Sequence, residues 1–258
     1  MHNYANAQCA EAHGKYLVVR EAIGAAVPSA GVGCAFARAA LEQVAQDQGG
    51  LPFDPGCLTE DYELGLRIGA HGGRGVFIRM RDDAGDLVCT REYFPATLTA
   101  AVRQKARWMT GIALAGWDRL GWQGSLAERW MRFRDRRGPL AAVILCCAYA
   151  AILLFGVTEI ARLVTGTKGA PFPPVLTLLL TCNALLMVWR MAVRGIFASK
   201  FYGWREAVRS APRAVLANII AIMAARRAML HYIRISRGKM PVWEKTTHHF
   251  PEEFARQE

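Results

Sequence analysis

Twenty consecutive residues, Pro139 to Thr158, carry no charge, and a second uncharged run of twenty-one extends from Gly169 up to Arg190. A bilayer core takes about 20 apolar residues per helix, so both runs have the length of transmembrane helices rather than of core helices. A purely soluble fold is thereby excluded. The two runs divide the 258-residue chain into a mixed segment before them, a short loop between them at Glu159–Lys168, and a basic segment after them.

Charge follows the same division. Residues 1–138 carry 17 Lys/Arg and 15 Asp/Glu, whereas residues 139–258 carry 15 and 6, and Arg190–Lys245 alone holds twelve basic residues against Glu206 and Glu244. A basic block of this kind attracts nucleic acid or the anionic face of a membrane. Directly after an apolar span, and with no helix-turn-helix, zinc-finger or RNA-binding signature, it points to membrane lipids and not to nucleic acid. The stretch Arg119–Arg137 has six basic residues, but the loop between the spans has only Arg162 and Lys168. The positive-inside rule then puts both flanks, and the C-terminus, in the cytoplasm and the loop outside. Ala214–Ala225 offers only twelve uncharged residues, which suits an interfacial or re-entrant helix, so two spans are expected. The seven cysteines are odd in number and contain no C-x-x-C pair, which argues against a disulfide framework or a zinc site.

Before the spans the pattern is α/β. Helices are expected over Asn3–Ala25, Arg38–Gln46 and Thr59–Ile68, and strands over Gly31–Ala37, Gly75–Met80 and Leu87–Tyr93, with Asp82–Asp86 as a hairpin turn. Thr97 is placed to cap a long helix from Leu98 to about Leu120. Its basic residues alternate with Trp108, Ile112, Leu114 and Trp117, a composition suited to the membrane interface.

Two short motifs bear on chemistry. Thr59-Glu60-Asp61 stands between a Pro/Gly loop and a helix, where carboxylates either favour the helix dipole or project into a site. Gln104, Arg107 and Trp108 are related by i, i+3 and i+4 and so share one helix face. An amide, a guanidinium and an indole together can bind a phosphate and stack a sugar or base; the plainer alternative is an interfacial helix with an anchoring Trp.

Taken together, Thr-Glu-Asp followed some forty residues later by Q-x-x-R-W and then by membrane helices resembles the processive family 2 glycosyltransferases, cellulose synthase among them. Val27–Gly33, Leu58–Ile68 (LTEDYELGLRI), Thr90–Pro95 (TREYFP), Gln104–Trp117, Arg134–Arg137 and Trp243–Thr246 narrow the resemblance to the NfrB, or phage adsorption protein B, type. It covers nearly the whole chain. It implies the C-terminal half of a GT-A-type nucleotide-sugar transferase domain over 1–97 and an amphipathic interface region over 98–138. Two transmembrane helices over 139–190 and a basic cytoplasmic tail over 191–258 would follow, in the bacterial inner membrane.

The implied activity is inverting transfer of a sugar to a growing extracellular polysaccharide. The donor is a nucleotide sugar, UDP-linked and with a leaning toward N-acetylhexosamine, and an outer-membrane export partner is implied as well. Asp61 is the implied general base, supported by Glu60 and Thr59. Gln104, Arg107 and Trp108 would hold the donor diphosphate and the acceptor end, and Gly31 and Gly33 would line the acceptor site. The family also implies a divalent metal, Mg or Mn, on a D-x-D motif. Only Asp47 and Asp54 precede Thr59, and Asp82, Asp83 and Asp86 read as a turn, so the metal ligands are expected in a preceding half that this chain does not contain. A different class of function fits the same membrane pattern, a non-catalytic scaffold or export component; retention of both motifs favours the transferase. A transporter would need more than two spans. His248-His249 reads as a solvated pair in a polar tail, and Glu159 with Arg162 as a local pair at a membrane exit.

Overall fold

The computed structural model describes residues 6–88, 95, 97–169 and 171–240. Its elements are helical: α1 (6–22), α2 (Arg38–Asp47), α3 (Glu60–Ala70), α4 (98–120), α5 (Leu126–Arg136), α6 (Gly138–Thr165), α7 (Pro174–Tyr202) and α8 (Trp204–Ser236). Two of them carry a wide π turn, Ala12–Tyr16 in α1 and Thr110–Ala115 in α4. The helices begin and end where local chemistry directs. Gly24 closes α1 at φ +73°, and the Thr97 hydroxyl accepts from Ala100 N at 3.3 Å to cap α4. Ser125 does the same for α5 through Glu128 N.

No strand forms among the described residues, which corrects the α/β expectation. Gly31–Ala37 takes a turn, with Gly31 and Gly33 at φ +76° and +63°, and then runs extended without a neighbouring strand. An extended run becomes a strand only when a partner completes its hydrogen-bond ladder. Gly75–Met80 has no ladder among the described residues either. What they show of the hairpin is one antiparallel bridge, Arg81 with Leu87, closed by Asp82 and Asp86 across the expected turn. The remainder of Leu87–Tyr93, the Thr90–Pro95 motif apart from Pro95, Trp243–Thr246 and His248-His249 lie outside the described residues.

α6 is uncharged from Gly138 to Thr158 and α7 from Pro174 to Trp189, and Leu153, Leu154, Leu178, Leu185, Leu186 and Trp189 are more than half exposed. At 1.5 Å per residue each helix is about 42–44 Å long, enough to cross a bilayer, and surfaces of this kind suit lipid. Length and composition give three candidate spans where the sequence pattern counted two. The third is α8. The charges flanking Ala214–Ala225 look like boundaries in the sequence, but the helix continues unbroken through them and through Pro212, from Trp204 to Ser236. The basic tail expected after residue 190 is therefore structured: α7 continues to Tyr202, and Gly203 at φ +84° turns directly into α8.

α8 differs from α6 and α7 in having a buried face. Ala217, Ile220, Ala224 and Ala228 recur at three- and four-residue spacing, and Ile220, Ala224 and Ala228 close on Ala101, Val102 and Ala106 of α4. Alanines let the two backbones approach closely. The Thr110 hydroxyl lies 2.9 Å from the Ala106 carbonyl and 3.5 Å from that of Ala228. One face of α4 is thus taken up by protein, while Trp108 and Trp117, which suited the helix to a membrane interface, stay exposed. On the opposite side Gly14 of α1 sits against Phe197 and Phe201 of α7, where a Cβ would come within 2.7 Å of the Phe197 ring. Replacing Ala224 by Leu should lower stability by about 1–3 kcal/mol through overpacking of this seam. Thermal unfolding in detergent, followed by circular dichroism, measures it.

Candidate functional site

The site is built on the first turns of α3. Thr59 stands at its N-cap with its side chain buried, and Glu60 and Asp61 follow in the first turn with their side chains half-buried. Asp61, Gly65 and Gly69 are four apart and so lie along one face of the helix. The segment 26–31 runs antiparallel along that face. A Cβ on Gly69 would lie 2.4 Å from Ala26 Cβ, one on Gly65 would lie 2.5 Å from the Val27 carbonyl, and one on Gly31 would lie 2.8 Å from Asp61 Oδ2. Glycine at these positions is a packing requirement, and at Gly31, with φ +76°, a conformational one as well. Together they hold the Gly31 backbone directly against the Asp61 carboxylate, whose other oxygen accepts from Tyr62 N at 2.8 Å.

α4 meets the same corner from the other side. A Cβ on Gly111, in the π turn, would come within 2.5 Å of Thr59 Oγ1. Arg107 Nη1 reaches the Leu58 carbonyl at 3.5 Å. Gln104 is buried, and neither its Oε1 nor Thr59 Oγ1 has a hydrogen-bond partner among the described residues. Trp108 is 38% exposed, so its ring remains available to a ligand. The two sequence motifs are therefore neighbours in space at the 58–59 end of α3. Gly33 lies in the exposed bend beyond Gly31.

Two ionic networks that the motifs do not reveal fix this corner. Asp135, in α5, receives Tyr62 Oη at 2.7 Å from α3, Arg20 Nη1 at 2.7 Å from α1, and the Tyr16 hydroxyl. Arg20 is fully buried, and Asp135 with its hydrogen bonds keeps it charged there. Burial, together with the Asp135 charge, pushes the Tyr16 and Tyr62 hydroxyls well above their ordinary range, so both act as permanent donors. Glu128 accepts from Ala26 N at 2.9 Å and pairs with Arg132 at 3.0 Å, which pins the start of the 26–31 segment to α5.

The second network centres on Glu63, one turn into α3. Arg119 reaches it at 2.8 Å and Arg67 at 2.6 Å, and Arg119 also reaches Asp54 at 2.6 Å. Burial alone would raise the Glu63 carboxyl, but the hydrogen bonds from Arg119 and Arg67 outweigh it and hold the group below its ordinary value. The Cys57 thiol, which donates to Glu63 Oε2 at 3.2 Å, is pushed up to about 12 by burial and by that carboxylate, so it is an unreactive neutral donor. Sequence alone held one signal for this arrangement, the Asp61-Gly65-Gly69 spacing. Arg67 is an i,i+4 partner of Glu63, but Arg119 and the partners of Asp135 come from segments 56 and 73–119 residues away, and no local pattern announces them.

No group of three or more His, Cys, Asp or Glu is placed to share a metal ion among the described residues. Asp82, Asp83 and Asp86 lie on an exposed turn whose geometry is satisfied by its own backbone. These residues do not fit the metal of the resemblance.

The model of Glycosyl transferase family group 2 matches residues 1–193, and the chain belongs to this family. It is 34% identical to Bacteriophage adsorption protein B of Escherichia coli strain K12 over 93% of its own length, and equally to Bacteriophage N4 adsorption protein B of Escherichia coli O157:H7. The chain spans 35% of the length of these curated relatives. No solved structure matches.

The pH dependence of stability follows from Glu63. A carboxyl whose folded-state pKa is depressed contributes stability that is complete above its unfolded value, 4.5, and is lost as pH falls from there through the depressed one. Thermal unfolding should therefore show Glu63→Gln less stable than the parent at neutral pH, with the difference shrinking as pH is lowered below that value. A constant difference down to the acid limit would show that the carboxylate charge is not what holds the corner.

Proposed function

We propose that this chain carries the acceptor-activating part of an inverting membrane glycosyltransferase that adds sugar from a nucleotide-sugar donor to a growing extracellular polysaccharide. The observation that supports it best is that Gly31 lies against Asp61 while Arg107 and Gly111 of α4 reach the adjoining Leu58 and Thr59. Asp61 is the general base. Its carboxylate takes the proton of the acceptor hydroxyl as that oxygen attacks the anomeric carbon, and the nucleoside diphosphate leaves from the opposite face. Thr59 and Glu60 set the helix start that aims it. Gly31 lets the acceptor approach closely, with Gly33 continuing that wall. Gln104 and Arg107 bind the donor diphosphate, and Trp108 stacks on the terminal sugar of the acceptor. A UDP-linked donor, an N-acetylhexosamine and an outer-membrane export partner are carried by the resemblance alone.

The basic residues of Arg119–Arg137 support a position of the corner at the cytoplasmic face of the inner membrane, with the loop after α6 outside. α8 packs beside α4 through the buried seam and the bond from Tyr232 Oη to Asp118 at 2.6 Å.

Asp61→Asn retains size and serves equally at a helix start, but it cannot accept the proton. In a polymer-synthesising membrane preparation of the enzyme, incorporation of labelled sugar should fall about 10²–10⁴-fold, with nucleotide-sugar binding retained. Near-normal incorporation would reduce Asp61 to a helix-start residue and remove the base from the mechanism.

A further inference from the structure

α7 carries a guanidinium in an unusual position. Arg194 is 6% exposed, and its Nε and Nη2 are buried without a hydrogen-bond partner among the described residues. The charged groups facing it come from three helices: Arg190 on α7 itself, Glu11 on α1 and Lys105 on α4. Glu11 is the one carboxylate among them, and it is already committed to Arg190 at 2.7 Å and to Lys15 at 2.5 Å. Lys105 is largely buried, and that burial, followed by the Arg194 charge, lowers its pKa. Lys15, Arg190 and Arg194 thus share one occupied carboxylate, with Lys105 beside Arg194. Buried charges are ordinarily paired, so an unpaired guanidinium with two N–H groups held in a fork calls for an anion.

Position defines which anion. The uncharged run of α7 ends at Trp189, which is 69% exposed, and Arg190 follows. An exposed tryptophan next to the first cation marks the headgroup level of a membrane helix. Arg194 is four residues further, about 6 Å along the axis, at the depth of lipid phosphates and under the docked helices α1 and α4.

We infer that Arg194, with Lys105 and Arg190, forms a phosphate-binding site where α1, α4 and α7 meet, filled by the phosphodiester of an anionic phospholipid. The fork of Arg194 takes two phosphate oxygens, and Lys105 supplies a point charge to a third. Bound there, the lipid ties the helix that bears Gln104 and Arg107 to the membrane through its neighbouring residue.

Native mass spectrometry of the full chain, released from phosphatidylglycerol-containing nanodiscs into mild detergent, tests the site. One phosphatidylglycerol should remain bound to the parent. Arg194→Gln should retain about tenfold less or worse, the loss of charge-assisted hydrogen bonds, and Arg194→Lys should retain an intermediate amount. Arg209→Gln, which removes an exposed arginine paired with Glu206, should retain as much as the parent. Circular dichroism of each variant checks folding, and Arg194→Lys carries the comparison if Arg194→Gln does not fold. A second arm adds inorganic phosphate to protein in neutral detergent and reads thermal stability. Retention of no lipid together with an Arg194-dependent phosphate shift would uphold the site and assign it to a soluble phosphate. Equal lipid retention by the parent and both Arg194 variants, or neither lipid nor phosphate binding by the parent, would overturn it.

Discussion

The α4–α8 seam is the contact on which the other arrangements depend. α4 has two faces with different duties. Its alanine face closes on α8, and its π turn presents Gly111 to Thr59 at the start of α3. A bulkier residue on either side would force a choice between the two contacts. Because both are met by small side chains, a helix joined to the membrane bundle also forms one wall of the acidic corner. The chemistry proposed for Asp61 is thereby held in a set position relative to the candidate membrane helices.

Rigidity at the corner comes from charge rather than from a large apolar core. Asp135 gathers hydrogen bonds from α1 and α3 while it stands on α5, and Glu63 gathers two arginines from α3 and α4. Such buried pairs are weak sources of stability in themselves, since desolvation offsets most of the attraction. They are strict about geometry, however, because losing one partner strands the other in a dry site. That strictness suits a place where a carboxylate must stand within hydrogen-bond reach of one hydroxyl.

Local signals were the legible ones. The two uncharged runs, the Thr97 cap, the Gly24 stop and the Asp82–Asp86 turn all have local causes, and each is found where the residues point. The juxtaposition of Thr59 with the Q-x-x-R-W helix was reached through resemblance, and the packing of Gly111 on Thr59 gives it a physical basis. Strands were misjudged because β structure is a property of pairs: Gly31–Ala37 has a buried-strand composition but no neighbour to pair with among the described residues. α8 was misjudged because charge spacing marked a short apolar run, whereas a helix can carry arginines on one face and an alanine seam on the other. Arg20, Glu63, Arg119 and Asp135 were unreadable, as their roles exist only after distant segments meet.

The central claim, that α4 joins the membrane helix α8 to the acidic corner, is tested most directly by cross-linking across the seam. Thr110 and Ala228 face one another there, the hydroxyl of one 3.5 Å from the carbonyl of the other. With the native cysteines replaced, Thr110→Cys and Ala228→Cys in one chain should form a disulfide in native membranes under mild oxidation, seen as a mobility shift reversed by reductant. Pairing Thr110→Cys with Met223→Cys, which is 44% exposed on α8, should give none. Absence of the first cross-link, or equal formation of both, would contradict the account.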